Sequence, residues 1–314
     1  MSGVPVGQVQ LGQYGPASHV IAHISDTHFL GAAGTPGAGR PLYGTVDTDT
    51  PVHEALAQLE RSGQPIDALV FTGDIADTGE ADAYRRIRNL VESAADRLGA
   101  RVIWVMGNHD KRAPFRSELL RETGHGASAA APVDAVHDLG GLRLIALDTS
   151  VPGYHHGALS AEQLAWLADV LREPAPHGTL LALHHPPIPT MVPLMSLLEL
   201  RDQAGLAEII AGSDIRGILG GHLHYATTGQ FAGIPVSVAA ATCYTIDPSA
   251  PARELTGVRG GQSINLVHVY PESVVHSHVV LGDFDPATRF DSEFLSRIEA
   301  MSPDERTEAF SRQA

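Results

Sequence analysis

A single cysteine, Cys243, stands in 314 residues, so no intramolecular disulfide can form and a reducing compartment suits the chain. No apolar run approaches the ~20 residues that cross a bilayer. Residues 1–18 are polar and rich in Gly and Gln, with no basic stretch leading into an apolar core. Neither an integral membrane segment nor a signal peptide is therefore expected, and the cytoplasm is the default location. Basic residues are scarce too: 21 Lys and Arg against 36 Asp and Glu give a formal charge of −15. DNA and RNA are held by clustered Lys and Arg through counterion release, so no nucleic-acid partner is expected. A small anionic substrate can be held only if something local reverses the field, and bound metal ions do that. The 17 histidines point the same way.

With 43% hydrophobic residues the chain can bury a sizeable core. Its length suits a flexible N-terminus over 1–18, one large domain over 19–283 and a charged helical tail over 284–314, in which Phe290, Phe294 and Ile298 share a face. Repeatedly, a short β-branched run ends in a polar cluster and is followed by a helical pattern: 19–24, 68–71, 102–105, 142–147, 179–183 and 215–219. That alternation reads as α/β. Thr50-Pro51 reads as an N-cap followed by Pro at the first helical position, and Ser160-x-x-Gln163 as a capping box opening a helix over 163–171. Tyr84, Ile87, Val91, Ala94 and Leu98 recur at spacings of three and four, which predicts a helix between about 80 and 98. Later, 235–239, 264–270 and 274–280 read as strands with no helix between them, which predicts antiparallel pairing and mixed sheets. The Gly-rich stretch 31–39 lacks the Gly-Lys-[Ser/Thr] ending of a phosphate-cradling loop and reads as a flexible loop. Segment 186–193, apolar and directly after a His-His pair, either walls a pocket or covers the core.

Five polar clusters stand at the ends of apolar runs: Asp26-x-His28, Gly73-Asp74 with Asp77, Gly107-Asn108-His109-Asp110, His184-His185, and Gly221-His222-x-His224. Singly each is a common loop feature. Together they are specific, because parallel strands bring their C-terminal ends to one edge of a sheet. Imidazole and carboxylate suit Zn, Fe and Mn, and amide oxygen suits the harder ions. Asp74 is the natural candidate to bridge two metals, and Asn108 would ligate through its carbonyl without adding charge. Such a pair would activate a bridging water and clamp phosphoryl oxygens for in-line displacement.

In this order the clusters resemble the calcineurin-like metallophosphoesterase superfamily, whose pattern is D-x-H, G-D, G-N-H-D/E, H and G-H-x-H. The likeness runs from about residue 23 to 277 and includes Leu42-Tyr43-Gly44, Leu147-Asp148-Thr149-Ser150 and His184-His185-Pro186-Pro187, which look like the class III cyclic nucleotide phosphodiesterases. The resemblance implies a four-layer αββα sandwich, α/β in class, with two mixed β-sheets. It implies that Asp26, His28, Asp74 and His224 hold one metal, commonly iron, and that Asp74, Asn108, His184 and His222 hold the other, commonly manganese; zinc suits the same donors. It implies hydrolysis of 3′,5′-cyclic AMP and related cyclic nucleotides by a metal-bridging hydroxide, with a homodimer as the assembly. Other phosphodiesters, 2′,3′-cyclic nucleotides among them, or a phosphomonoester are the alternative substrates. A non-catalytic scaffold would have lost ligands, and this chain has lost none. His109 fits the role of protonating the leaving oxygen, with Asp77 orienting it or serving as a helix cap. Asn108 and His156 are the expected substrate contacts, His156 otherwise being a loop histidine. His23 and His185 are expected to support ligands, Asp110 to hold its turn, and Cys243 to be a buried thiol. Residues 250–261 and the tail after Gly282 match poorly, so nothing carries over there.

Overall fold

The β-branched runs that end in polar clusters are strands, and the patterns between them are helices. The computed structural model describes residues 9–32, 39–122 and 131–312. The first elements are β1 (His19–Ile24), α1 (Asp49–Ser62), β2 (Ala68–Thr72), α2 (Ala81–Leu98), β3 (Arg101–Val105) and α3 (Arg112–Glu118). Next come β4 (Ala135–Asp138), β5 (Arg143–Leu147), α4 (Ala161–Val170), β6 (Thr179–Leu183), α5 (Gln203–Ile210) and β7 (Ile215–Gly220). Then follow β8 (Thr227–Phe231), β9 (Ile234–Val238), the short pair β10 (Thr245–Ile246) and β11 (Gly257–Val258), β12 (Ser263–Val269) and β13 (Val274–Val280). Residues 1–8 of the N-terminal stretch and 33–38 of the Gly-rich loop lie outside the described residues.

Two large mixed sheets form, in the orders β13-β12-β1-β2-β3 and β4-β5-β6-β7-β9-β8. Within them β1, β2 and β3 run parallel, as do β5, β6, β7 and β9. β1, β2 and β6 are buried at every residue, as strands covered on both faces must be. Ile21, Val70 and Val267 of one sheet meet Leu144, Leu180 and Leu219 of the other in a single core between the sheets. On its far face the second sheet packs Leu181 and Ile218 against Leu167 of α4 and Ile210 of α5. α1 and α2 bury Val52, Leu56, Tyr84, Ile87 and Val91, and α2 lies against β3. The layers are helix, sheet, sheet and helix, the fold the family resemblance implied.

Several details differ from the sequence reading. Helix α1 begins two residues earlier than Thr50-Pro51 indicates: the Asp47 carboxylate accepts from the backbone of Asp49 and Thr50 and from Thr50 Oγ1, and so satisfies the first turn. β9 is antiparallel only to β8 and lies parallel to β7. Edge strands β4 and β8 escape the pattern because their burial alternates. In segment 186–193, Ile188 and Val192 join the second core, so the loop covers it, while Met191 is exposed. Residues Ser18–Gly282 form one compact unit, and the described residues on either side form another, in which the rings of Phe290, Phe294 and Phe310 cluster beside α6 (Ser292–Glu299). No helix among the described residues is long and apolar enough to cross a membrane.

The cross-strand rows Ile21–Val267–His276 and His23–Asn265–His278 belong to the first sheet. His23 is fully buried with Nδ1 unpartnered, and both ring nitrogens of His276 are buried without a partner. Burial holds the imidazoles of His23 and His276 down to about 3 and about 4. Between those values and the ~6.5 of an unfolded histidine, the unfolded chain binds protons that the folded chain refuses. The contribution of these two histidines is expected to be level above about pH 6.5 and to fall on acidification, by on the order of 2–3 kcal/mol near pH 4 from His276 alone. Urea midpoints followed across that range should flatten in His276→Leu, and an unchanged slope would remove His276 from the account.

Candidate metal centre

At the strand ends the turns are tight. Asp26, His28, Asp74, His222 and His224, five of the seven expected ligands, have φ between 47° and 69°. This left-handed region costs free energy for any residue with a side chain. The loops brace one another: Asp26 N donates to Gly73 O at 3.1 Å, His28 N to Asp74 O at 2.9 Å, and Gly221 N to His184 O at 3.0 Å. Two glycines permit the approach. A Cβ on Gly107 would lie 2.2 Å from Asp74 N, and one on Gly221 would lie 1.9 Å from Ser25 Oγ on the opposite sheet.

Each expected ligand histidine spends one ring nitrogen on a fixed acceptor. His28 Nδ1 donates to Asp77 Oδ1 (2.9 Å), His184 Nδ1 to Thr72 O (2.7 Å), His222 Nε2 to Leu198 O (3.0 Å) and His224 Nδ1 to Tyr244 O (3.1 Å). Such bonds set the tautomer and leave the other nitrogen for a metal. Those free nitrogens converge on the carboxylates. Asp74 Oδ2 lies 3.5 Å from His28 Nε2 and 3.3 Å from His184 Nε2, and Asp26 Oδ1 lies 3.4 Å from His224 Nε2. His184 Nε2 is also 3.1 Å from Asn108 Oδ1 and 3.2 Å from His222 Nδ1. His28 Nε2 is buried with no partner, a state that is costly unless something fills it. Asp74 accepts His109 N through Oδ1 at 2.8 Å, which leaves Oδ2 facing both groups of donors. The residues present fit a pair of transition-metal ions, one among Asp26, His28, Asp74 and His224, the other among Asp74, Asn108, His184 and His222.

The charges agree. Burial holds His28, His222 and His224 below the ordinary histidine value, His224 at about 4, so all three are neutral and ready to ligate. Burial works against the charge of Asp74 as well, yet His184, His109 and His28 keep its carboxyl well below the usual range. Burial, with Asp74 alongside, raises Asp26. His184 is the exception among the imidazoles: burial opposes its cation, but Asp74 and Asp26 lift it to about 9. An incoming metal must displace that proton, so loading is linked to proton release.

Around the donors the sequence reading holds in part. Asp110 holds its turn and more, accepting from Gly107 N (2.9 Å), Ile75 N (3.2 Å), Ala76 N (3.1 Å) and Tyr84 Oη (2.9 Å). Tyr84 had only an apolar place on its helix; a hydroxyl on an otherwise apolar face is the signal that marks it. His109 Nδ1 donates to the backbone carbonyl of Asp77 at 2.8 Å, while the Asp77 carboxylate lies 3.4 Å from that nitrogen and is bonded to His28. The Asp77 main chain thus holds the His109 ring, and its carboxylate holds His28. Glu80, not Asp77, stands at the N-cap of α2. Burial opposes protonation of His109, but Asp74 and Asp77 outweigh it and hold the imidazole above its ordinary value. His155 rather than His156 reaches Asn108, Nδ1 to Nδ2 at 2.9 Å, with its ring 5.0 Å from that of His109; His156 stacks on Tyr154. His23 bonds Thr72 and His185 bonds Thr149, so each braces a strand end. Cys243 is a buried thiol, 3.8 Å from His224 Nδ1. A cavity of about 630 Å³ opens beside Asn108 and His109, walled by Met106, Lys111, Val151, Pro152, Tyr154 and His155.

Residues 19–226 match the calcineurin-like phosphoesterase family. The chain is 53% identical over 279 residues to a cAMP/cGMP dual specificity phosphodiesterase of Mycobacterium tuberculosis, which covers 89% of this chain and 85% of that protein. It is 51% identical over 276 residues to a probable cyclic nucleotide phosphodiesterase of Rhodococcus erythropolis, 87% of each chain being covered. Among solved structures it superimposes on a dimetal phosphatase from Danio rerio with a TM-score of 0.53 and 15% identity, over 85% of this chain and 100% of that one, a likeness of fold alone.

Metal content tests the donor sets. Mass spectrometry after reloading with manganese is expected to find both metals in the wild type, one after His224→Ala or Asn108→Ala, and fewer than one after Asp74→Ala. An Asp74→Ala protein that still holds a full equivalent would take away its bridging place.

Proposed function

The chain belongs to the calcineurin-like phosphoesterases, and from that membership we propose that it hydrolyses 3′,5′-cyclic nucleotides, cyclic AMP among them, to 5′-monophosphates with two metal ions. The observation that carries the reading is His109. It lies beside the seven converging donors, lines the cavity, and has its ring fixed by the bond from Nδ1 to the Asp77 carbonyl at 2.8 Å. A 3′-alkoxide is a poor leaving group, and a positioned acid is what its expulsion requires. The names carried by the two bacterial relatives, each spanning most of this chain, support the same substrate class.

In this reading Asp26, His28, Asp74 and His224 would hold one ion and Asp74, Asn108, His184 and His222 the other. Bound there, the pair would polarise the phosphoryl oxygens and activate water for in-line attack. The protein residues do the rest. His109 gives its proton to the departing 3′-oxygen, and its Nδ1 bond to Asp77 fixes the ring for that transfer. The cavity receives the ribose and base, its apolar walls excluding water and Lys111 offsetting phosphate charge. Because the 5′-ester is not cut, the opened nucleotide stays joined to its phosphate and leaves as one molecule. The reading extends to a cytoplasmic homodimer with iron in one site and manganese in the other, zinc being competent in either.

Chromatography of cyclic AMP incubated with manganese-loaded protein is expected to yield 5′-AMP, and none above a no-enzyme control would sink the substrate assignment. His109→Ala should lose on the order of 10²–10⁴-fold on cyclic AMP and far less on an activated aryl diester, whose leaving group needs no proton. Equal losses on both would count against the acid.

A further inference from the structure

We propose that His155 is a positioning residue for the metal centre: it orients the Asn108 amide so that the carbonyl oxygen, and not the NH2, faces the donors of the second site. The inference rests on the two-metal reading of that site and is independent of the substrate.

The two ends of an asparagine amide are nearly equal in size, so shape alone does not choose between them; partners do. Asn108 stands where the choice matters. Its Oδ1 lies 3.1 Å from His184 Nε2, in the group that includes Asp74 Oδ2 and His222 Nδ1. A flipped amide would present N–H donors to that group and could not ligate a cation. At its other end, Nδ2 lies 2.9 Å from His155 Nδ1. In the neutral tautomer with its proton on Nε2, His155 Nδ1 accepts there, and that tautomer rewards only the orientation that turns Oδ1 inward.

His155 is itself exposed, so something must hold it. Its carbonyl accepts from His185 Nε2 at 3.1 Å, and His185 is fully buried with Nδ1 bonded to Thr149 Oγ1 at 2.8 Å. The same loop is closed by a bridge between Ser150 and Gly157, and a Cβ on Gly157 would lie 2.6 Å from the His185 ring. The sequence pair His184-His185 therefore divides its work. His184 offers a nitrogen to the centre, while His185 anchors the loop whose His155 reaches back to set the amide. Supporting contacts of this kind typically change metal affinity by 10–100-fold when removed.

The test is a cycle of metal titrations, since an aspartate at 108 has two equivalent oxygens and needs no orienting partner. Calorimetric titration with manganese is expected to show second-site affinity falling about tenfold in His155→Ala, returning in His155→Gln, whose carbonyl can accept the amide N–H, and not returning in His155→Leu. In an Asn108→Asp background, His155→Ala should leave affinity unchanged. Unchanged affinity in His155→Ala, or the same loss in both backgrounds, would overturn the proposal, as would failure of His155→Gln to recover more than His155→Leu. A wild type that binds no manganese would overturn the two-metal reading itself, a result distinct from either.

Discussion

One carboxylate carries the architecture of the site. Asp74 commits Oδ1 to the backbone of His109 and turns Oδ2 toward His28 on one side and His184 on the other. His28 follows β1 and His184 follows β6, so that oxygen lies between groups delivered by different sheets. Its orientation depends in turn on Asp110, which gathers three backbone N–H groups and the Tyr84 hydroxyl and so locks the turn after β3 to the turn after β2. A group outside the donor set thereby decides where the shared carboxylate points. Burial pushes Asp110 up to about 6, with Asp74 adding to the effect, which measures how much this arrangement asks of a buried acid.

The same concentration of buried acids and imidazoles bears on how so acidic a protein could take an anion. The chain carries a formal −15, but the donor cluster holds only two of its acidic side chains, Asp26 and Asp74, beside four histidines and an amide. Two multivalent cations on that set would leave a local excess of positive charge, and the low dielectric of a buried site would keep that excess from being screened as it is at the surface. Long-range repulsion and local attraction then coexist, and association should gain from salt that screens the former.

Much of this was legible in the sequence because the signal repeats. A single Asp-x-His or Gly-Asp is weak, but five such clusters, each closing an apolar run, mark parallel strands aimed at one edge, and the converging donors followed; the four layers came from the family resemblance. What was not legible depends on paths between elements. His155 and His156 are adjacent and chemically equal in the sequence; the bridge between Ser150 and Gly157 decides which of them reaches Asn108. Asp77 was paired with His109 on the family resemblance, whereas its carboxylate is bonded to His28, 49 residues away. The start of α1 moved because Asp47 accepts from the backbone of Asp49 and Thr50 and from Thr50 Oγ1, satisfying a turn ahead of Thr50 that a cap-plus-proline pattern does not weigh. Strands β4 and β8 sit at a sheet edge with half-exposed side chains, so they lack the continuous apolar run that betrayed the central strands.

The left-handed turns have a consequence for metal choice. Residues held at such angles cost about 1–3 kcal/mol each and persist only where surrounding contacts over-determine them. Here those contacts are backbone bonds between neighbouring loops and glycines pressed against those loops, none of which involves an ion. The turns are thus braced by contacts that do not need an ion. Ions of similar radius and coordination taste should exchange there without moving the loops, so the metal a purified sample carries would record the supply in the cell that made it more than any preference written into the fold.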